Sequence, residues 1–178
     1  MDKKENRQEE NSRFSRFFDS RPIDDEALEA IVDAGMFTRG QDRQMLHFTV
    51  IKSREEMEKY RAARKAASLP EGVPAEAADQ FADPMRNAPV AVLISAKGEG
   101  EPCDGGCPVV QRLLSAAALR GVIGSLDRQA LTDLFGRQPE LKTDYVPEGY
   151  ELRAVLLLGY PGPIMKDLGE RVGTVEYK

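Results

Sequence analysis

The stretch Pro108 to Ser125, PVVQRLLSAAALRGVIGS, constrains the fold more than any other part of the chain. Val109, Val110, Leu113, Leu114, Ala116, Ala117, Ala118 and Leu119 cover most of a helix's circumference. Gln111, Arg112, Ser115 and Arg120 leave too little polar surface for a full solvent face. A helix apolar almost all round is a buried one, and its alanines let neighbouring helices or a second subunit come close. Gly121 and Gly124 stop it and leave two backbone positions free for unusual dihedrals or for the approach of a ligand. The plainest reading is a core helix with a glycine C-cap.

Two continuous apolar runs, Pro89–Ser95 and Glu151–Gly159, suit strands buried on both faces. Leu46–Lys52 alternates and is rich in β-branched and aromatic residues, which predicts a further strand. Asp24 or Asp25 caps a helix with Leu28, Ile31 and Val32 on its apolar side, and Gly35 is expected to end it. Ser53 and Glu56 form a capping box for a charged helix to about Ala67, with Met57 and Tyr60 facing inward. Leu69–Pro74 is a break, Ala75–Asp83 a short helix, and Asp127 caps another helix to about Phe135. Gly136–Pro147 reads as loop. Three or four strands with about five helices give an α+β fold. Residues 1–11 form a solvated, flexible arm and residues 12–178 a single domain. The tail, 160–178, has no clear core face and is expected to pack on a partner subunit.

A length of 178 residues, 41% apolar and 31% charged, describes a globular chain with a sizeable core. No run approaches the ~20 apolar residues of a membrane span, and the charged start MDKKENRQEEN has no apolar h-region. A cytoplasmic location without membrane contact is expected. The net charge of -5 argues against nucleic acid as the main partner. Without a secretion signal, Cys103 and Cys107 are expected to be reduced thiols. A redox role for the pair is an alternative, although the spacing is not C-x-x-C. The single histidine, His47, argues against a zinc ligand set and reads as a structural strand residue. There is no G-x-S-x-G, no Walker loop and no G-x-G-x-x-G after a strand. Any hard chemistry is therefore expected to come from a cofactor.

The anion-binding signals bear on which cofactor. Arg13, Ser15 and Arg16 lie within four residues, and guanidinium forks with a hydroxyl suit a phosphate. Arg39 could add to them; the alternative is surface arginines flanking an apolar segment. Gln44 carries an amide that donates and accepts, which suits the edge of a flat heteroaromatic ring. Gly121–Gly124 offers backbone donors at the end of the central helix.

Together these stretches resemble the nitroreductase family of FMN-dependent NAD(P)H oxidoreductases. SRFSRFFDSRPIDDEALEAIVDAG is similar to the family's arginine-rich segment before its first helix, with Arg16 and Phe18 in the R-x-F places. Thr38–Phe48 resembles its P-[ST]-x-x-N-x-Q loop, with Gln44 and Phe48 matching. Asn87-Ala-Pro89-Val looks like its strand opening, and Gln111 with the alanines and Gly121-Val-Ile-Gly124-Ser125 like its central helix and G-L-G-S. Val146–Pro161 is very close to its P-E-G-Y…L-G-Y-P signature. Departures are equally plain. Aligned on Phe18, the family's first arginine becomes Ser12 and its phosphate-binding serine becomes Phe14. The loop asparagine becomes Asp42 and the helix asparagine Arg112; Lys166 or Arg171 would have to supply the later basic residue.

The resemblance implies an α-β-α sandwich with a central mixed sheet, helices on both faces, and an intertwined homodimer with two FMN sites at its interface. It implies ping-pong hydride transfer from NADH or NADPH through the flavin N5 to a small flat acceptor, such as a nitroaromatic or quinone. Ser12, Arg13, Ser15 and Arg16 would hold the phosphate, and Asp42 and Gln44 would line the ring or ribityl chain. The amides of Val122, Ile123 and Gly124 would face the flavin edge. No protein nucleophile is implied. Phe14 and Asp42 motivate the alternative of a non-catalytic relative that binds flavin weakly or not at all.

Overall fold

The computed structural model describes residues 18–37, 46–70, 72–74, 83–98, 106–137, 140–162 and 176. In chain order the elements are β1 (Phe18–Asp19), α1 (Asp25–Met36), β2 (Leu46–Ile51), α2 (Arg54–Ala67), β3 (Val90–Lys97) and α3 (Pro108–Ala118). They continue with β4 (Ile123–Leu126), a π-helical turn (Ala130–Leu134), α4 (Phe135–Arg137), α5 (Glu140–Tyr145) and β5 (Tyr150–Pro161). β5 pairs with β3 on one side and β4 on the other, β2 pairs with β3, and β1 pairs with the last residues of β5. Each of these pairings is antiparallel.

The two apolar runs are strands buried on both faces, as their composition demands. On β3 and β5, Leu93, Val155 and Leu157 join one core with Met57 and Tyr60 of α2, Ala130 and Leu134 of the π-turn, and Phe135. Val92, Ile94, Leu156 and Leu158 join a second core with Leu28 and Ile31 of α1 and Val109, Val110 and Leu113 of α3. The result is a sheet between two helical layers. A β-bulge interrupts the β3–β5 register: Ile94 faces Ala154 and Ser95 faces Leu152. Arg153 is the extra residue, and its Nη2 donates to the Gly98 carbonyl at 2.6 Å.

Several sequence expectations need correction. Gly35 does not end α1, which runs to Met36. Its role is close approach: a Cβ there would lie 2.9 Å from Leu113 Cδ2 and 3.2 Å from Phe48. The segment read as loop contains the end of α4 and all of α5, because Leu141 and Tyr145 find apolar cover in the first core that no local signal announced. The glycine stretch after α3 does more than end the helix. Ile123–Leu126 forms β4, a strand too short for periodicity to reveal. Finally, α3 is not buried all round: Gln111, Ser115, Ala118 and Leu119 form an exposed stripe in the single subunit. The tail read as 160–178 begins inside β5, where Tyr160 packs against the second core; its residues beyond Gly162, apart from Glu176, and those of the short helix expected at 75–83, apart from Asp83, lie outside the described residues.

Candidate functional site

Two segments singled out by sequence converge on the last turn of β5. Ile123 of β4 is opposite Gly159, while Phe18 and Asp19 of β1 are opposite Pro161 and Tyr160. Gly159 has no side chain because there is no room for one. A Cβ would lie 2.8 Å from both Phe18 Cδ1 and Pro89 Cδ. The start of β4 and the end of the N-terminal arm are therefore on the order of 10 Å apart, two strand spacings.

The backbone of β4 divides its polar groups between sheet and surface. Asp127 donates its amide to the Val155 carbonyl at 2.9 Å. Antiparallel residues alternate between bonded and non-bonded pairs, so Ser125 and Ile123 face Leu157 and Gly159 as bonded pairs. Gly124 and Leu126 turn their amides away from β5, to the edge that no other described strand pairs. Val122 is different: its amide donates to the Ala117 carbonyl at 3.0 Å, and its side chain is buried. The expected donor role at Val122 is thus already committed, which leaves Gly124 as the outward donor. The missing side chain of Gly124 has a packing cause, since Leu114 Cδ2 occupies the place of a Cβ and Leu158 Cδ2 is 3.1 Å from it.

Phe18 is held by more than strand pairing. Its amide donates to the Arg86 carbonyl at 3.1 Å, and Asn87 Nδ2 donates to the Phe18 carbonyl at 3.4 Å. Arg86 and Asn87 both have positive φ, 49° and 66°. Such non-glycine residues cost about 1–3 kcal/mol each and persist only when the surroundings over-determine them. Asp83 does so: its Oδ1 accepts from the Met85 amide and its Oδ2 from the Asn87 amide, both at 2.9 Å. Arg61 of α2 donates from Nη1 to Asp83 Oδ2 and from Nη2 to the Ala88 carbonyl, both at 2.9 Å. Asn87 and Arg61 also border a cleft of about 930 Å³ between the N-terminal ends of α1 and α2.

The remaining sequence-predicted groups divide sharply. Ser12, Arg13, Ser15, Arg16, Asp42 and Gln44 lie outside the described residues, as do Phe14, Arg39, Cys103, Lys166 and Arg171. Leu46, where β2 begins, is opposite Ala96, which is opposite Glu151. Eight residues of β5 separate Glu151 from Gly159, roughly 25 Å of strand. The start of β2 and the start of β4 therefore belong to opposite ends of one subunit's sheet. His47 lies edge-on to Tyr150 at 5.8 Å, as a structural strand residue does. Cys107 is half-buried at the N-cap of α3. Met36, Phe37 and Leu119, at the C-terminal ends of α1 and α3, are exposed by 53%, 75% and 86%.

A second feature is a buried charge pair behind β4. Arg64 of α2 donates from Nε to Asp127 Oδ2 at 2.8 Å and from Nη2 to Oδ1 at 3.1 Å. Asp133, on the π-turn, is 3.7 Å from Nη1. Burial pulls the guanidinium's pKa down, and the bonds to Asp127 more than offset it, so its net shift is upward. Burial also pushes the Tyr60 hydroxyl well above its ordinary range. At the surface, the amide and side chain of Arg21 hold the Asp19 carboxyl below its usual value.

Sequence reasoning missed the Arg61–Asp83–Asn87 arrangement. A usable signal was present in DPMRNAP: aspartate bonds the amides that follow it, and asparagine tolerates the left-handed region. The Arg64–Asp127 pair gave none, because residues 63 positions apart carry no local pattern.

Comparison with known proteins supplies the remaining context. No curated protein matches the sequence. The fold matches a nitroreductase with bound FMN from Bacteroides fragilis, with a TM-score of 0.61, 19% identity and all of both chains covered. It matches a nitroreductase with bound FMN from Desulfitobacterium hafniense, with a TM-score of 0.58, 21% identity and coverage of 89% of this chain and 92% of that one. It is also similar to an iodotyrosine deiodinase bound to FMN and 3-iodo-L-tyrosine, with a TM-score of 0.54, 19% identity and 92% of each chain covered. At these identities the likeness is one of fold. The profile of the nitroreductase family matches residues 12–142, from the arginine-rich segment through β4 and beyond. With most of the chain inside that match, this protein belongs to the nitroreductase family.

Proposed function

We propose that this protein is an FMN-dependent oxidoreductase acting as a homodimer, with NADH or NADPH as reductant and a small flat molecule as acceptor. The observation that carries the reading is the convergence of the Phe18 seat and the outward amide of Gly124 on the end of β5. The first continues into the arginine-rich segment that would take a phosphate, and the second would serve the polar edge of a ring, on the order of 10 Å apart. The described residues fit such a cofactor, because the Gly124 amide is turned away from β5 and is not used in that pairing.

Arg13, Ser15 and Arg16 would bind the phosphate, with Ser12 beside them. Gly124, with Ile123 next to it, would bond the ring edge. Asp42 and Gln44 would serve the site of the second subunit, since the start of β2 is roughly 25 Å of strand from β4. The exposed Met36, Phe37 and Leu119 support the same reading: a second copy would cover them. FMN held by these residues would supply reversible two-electron chemistry between a nicotinamide and the acceptor. The protein's share is binding, orientation and electrostatics. Reductant and acceptor would occupy the same space in turn, which is the ping-pong order. No helix among the described residues is long and apolar enough to cross a membrane, consistent with a proposed cytoplasmic site of action.

The test is an anaerobic titration of FMN-loaded protein with NADH and NADPH. The reading expects flavin absorbance to bleach with one of them and to return on adding a quinone or nitroaromatic. Phe14 and Asp42 favour the second reading, a relative that holds flavin without turning it over. Flavin that binds but is reduced by neither nucleotide would select that reading.

A further inference from the structure

We propose that Arg64 Nη1, the Tyr60 hydroxyl and Asp133 Oδ2 build an internal hydration site, in which one water joins α2 to the π-turn. The inference is independent of the FMN reading. Arg64 is fully buried and Tyr60 is 1% exposed. Arg64 Nη1 and the Tyr60 hydroxyl are buried polar atoms without a hydrogen-bond partner among the described residues. Such atoms are rare in folded proteins, and ordered water is what commonly satisfies them. The rest of the guanidinium is engaged, since Nε and Nη2 donate to Asp127. Asp133 Oδ2 lies 3.7 Å from Nη1, too far for a hydrogen bond. A polar contact of that length is where a bridging water is expected. Tyr60 and Arg64 are four residues apart on α2, and such side chains rise from one face about 5–6 Å apart. Two bonds of about 2.8 Å through a single water span that separation.

The chemistry of the three groups selects water over an ion. Arg64 carries one positive charge against the two negative charges of Asp127 and Asp133, so a chloride would be repelled. Nη1 is a donor, and burial keeps the Tyr60 hydroxyl protonated, so a metal cation would face hydrogens. Water accepts from both and donates to Asp133 Oδ2. Those are three bonds, the usual number for an internal water. Asp133 Oδ1 is 3.2 Å from Thr132 Oγ1, which leaves Oδ2 for the water. The rings of Phe135 and Tyr145 flank Tyr60 on the core side. The Asp133 side chain is 28% exposed and forms the side open to exchange. Asp127 already ties α2 to the start of the π-turn through the Ala130 amide. The water extends that tie to Asp133, farther along the turn.

The experiment joins a crystal structure of the full chain, at a resolution that shows single waters, to a double-mutant cycle. The structure is expected to show one water within about 2.7–3.2 Å of Nη1, Oδ2 and the Tyr60 hydroxyl. Nη1 bonded directly to Oδ2, or a dry gap between the three groups, overturns the proposal. The cycle uses Tyr60→Phe, which keeps the ring and removes the hydroxyl, and Asp133→Ala. The Tyr60 hydroxyl has no direct bond to Asp133, so only something between them couples the two changes. Unfolding constants are read from urea denaturation. The effect of the double variant is expected to fall short of the product of the single effects by at least about threefold. A smaller departure from that product overturns the proposal.

Discussion

Arg64 of α2 and Asp127 at the end of β4 form a two-bond ion pair inside the protein, with Nε to Oδ2 at 2.8 Å and Nη2 to Oδ1 at 3.1 Å. Asp127 also accepts from the Ala130 amide at 3.1 Å, so one carboxylate ends β4, starts the π-turn and ties both to α2. Removing one partner of such a pair leaves a buried, uncompensated charge. Arg64→Met is expected to cost about 3–5 kcal/mol, read from urea unfolding. The double variant Arg64→Met/Asp127→Leu should recover much of that loss, because apolar residues of similar volume often replace a buried pair without net cost.

Glycine packing gives a second prediction. Gly124→Ala drives a methyl group into Leu114, and Gly35→Ala places one 2.9 Å from Leu113. Each is expected to destabilise by about 1–3 kcal/mol through overpacking. Adding Leu114→Ala to Gly124→Ala opens the occupied space and should restore part of the loss. Denaturant midpoints measured for the single and double variants check it.

The exposed apolar residues predict the assembly. Phe37→Asp and Leu119→Glu put charges on surface that the proposed second subunit covers. Light scattering should show wild type as a dimer and the double variant shifted towards monomer, with unchanged far-ultraviolet circular dichroism. FMN affinity should fall as the dimer is lost, because the start of β2 cannot serve the β4 end of its own subunit. A wild type that is monomeric at all concentrations contradicts this.

The Asp19–Arg21 contact gives the pH dependence. The Arg21 amide and guanidinium hold the Asp19 carboxyl below its ordinary 3.8 in the folded chain. A carboxyl depressed in this way contributes stability that is complete above its unfolded value and disappears as pH falls through the folded one. Asp19→Asn should therefore flatten the acidic limb of the stability curve, below about pH 5, and leave its shape at neutral pH alone. Chemical denaturation of both proteins across that range is the check.

Asp42 is the most informative substitution in the proposed site. A carboxylate beside a reduced, anionic flavin is disfavoured by like-charge repulsion. Asp42→Asn is expected to raise the midpoint potential of bound FMN and to strengthen binding, and Phe14→Ser to strengthen binding alone. Spectroelectrochemical titration measures the first effect and fluorescence the second.

The two layers and the central strands were legible in the sequence because Val92, Leu93, Leu156 and Leu157 must be buried on both faces of a sheet. Ser53 and Glu56 marked the start of α2 through a local bond that forms as expected, at 3.2 Å. Gly35 was misread because a helix-ending glycine and a close-packing glycine look alike until the neighbour, Leu113, is known. β4 was missed because four residues are too few for a period and its pairing partner lies more than thirty positions later. The bond from the Val122 amide to the Ala117 carbonyl was not legible, since it depends on how α3 ends.

The most direct test of the account is the absorbance spectrum of purified protein mixed with FMN and passed through gel filtration. The account predicts flavin bands that co-elute with a dimer at about one FMN per subunit, in keeping with two sites built from two chains. A protein peak that shows only aromatic absorbance after reconstitution would contradict it and leave a nitroreductase-family fold with some other ligand at the end of β5.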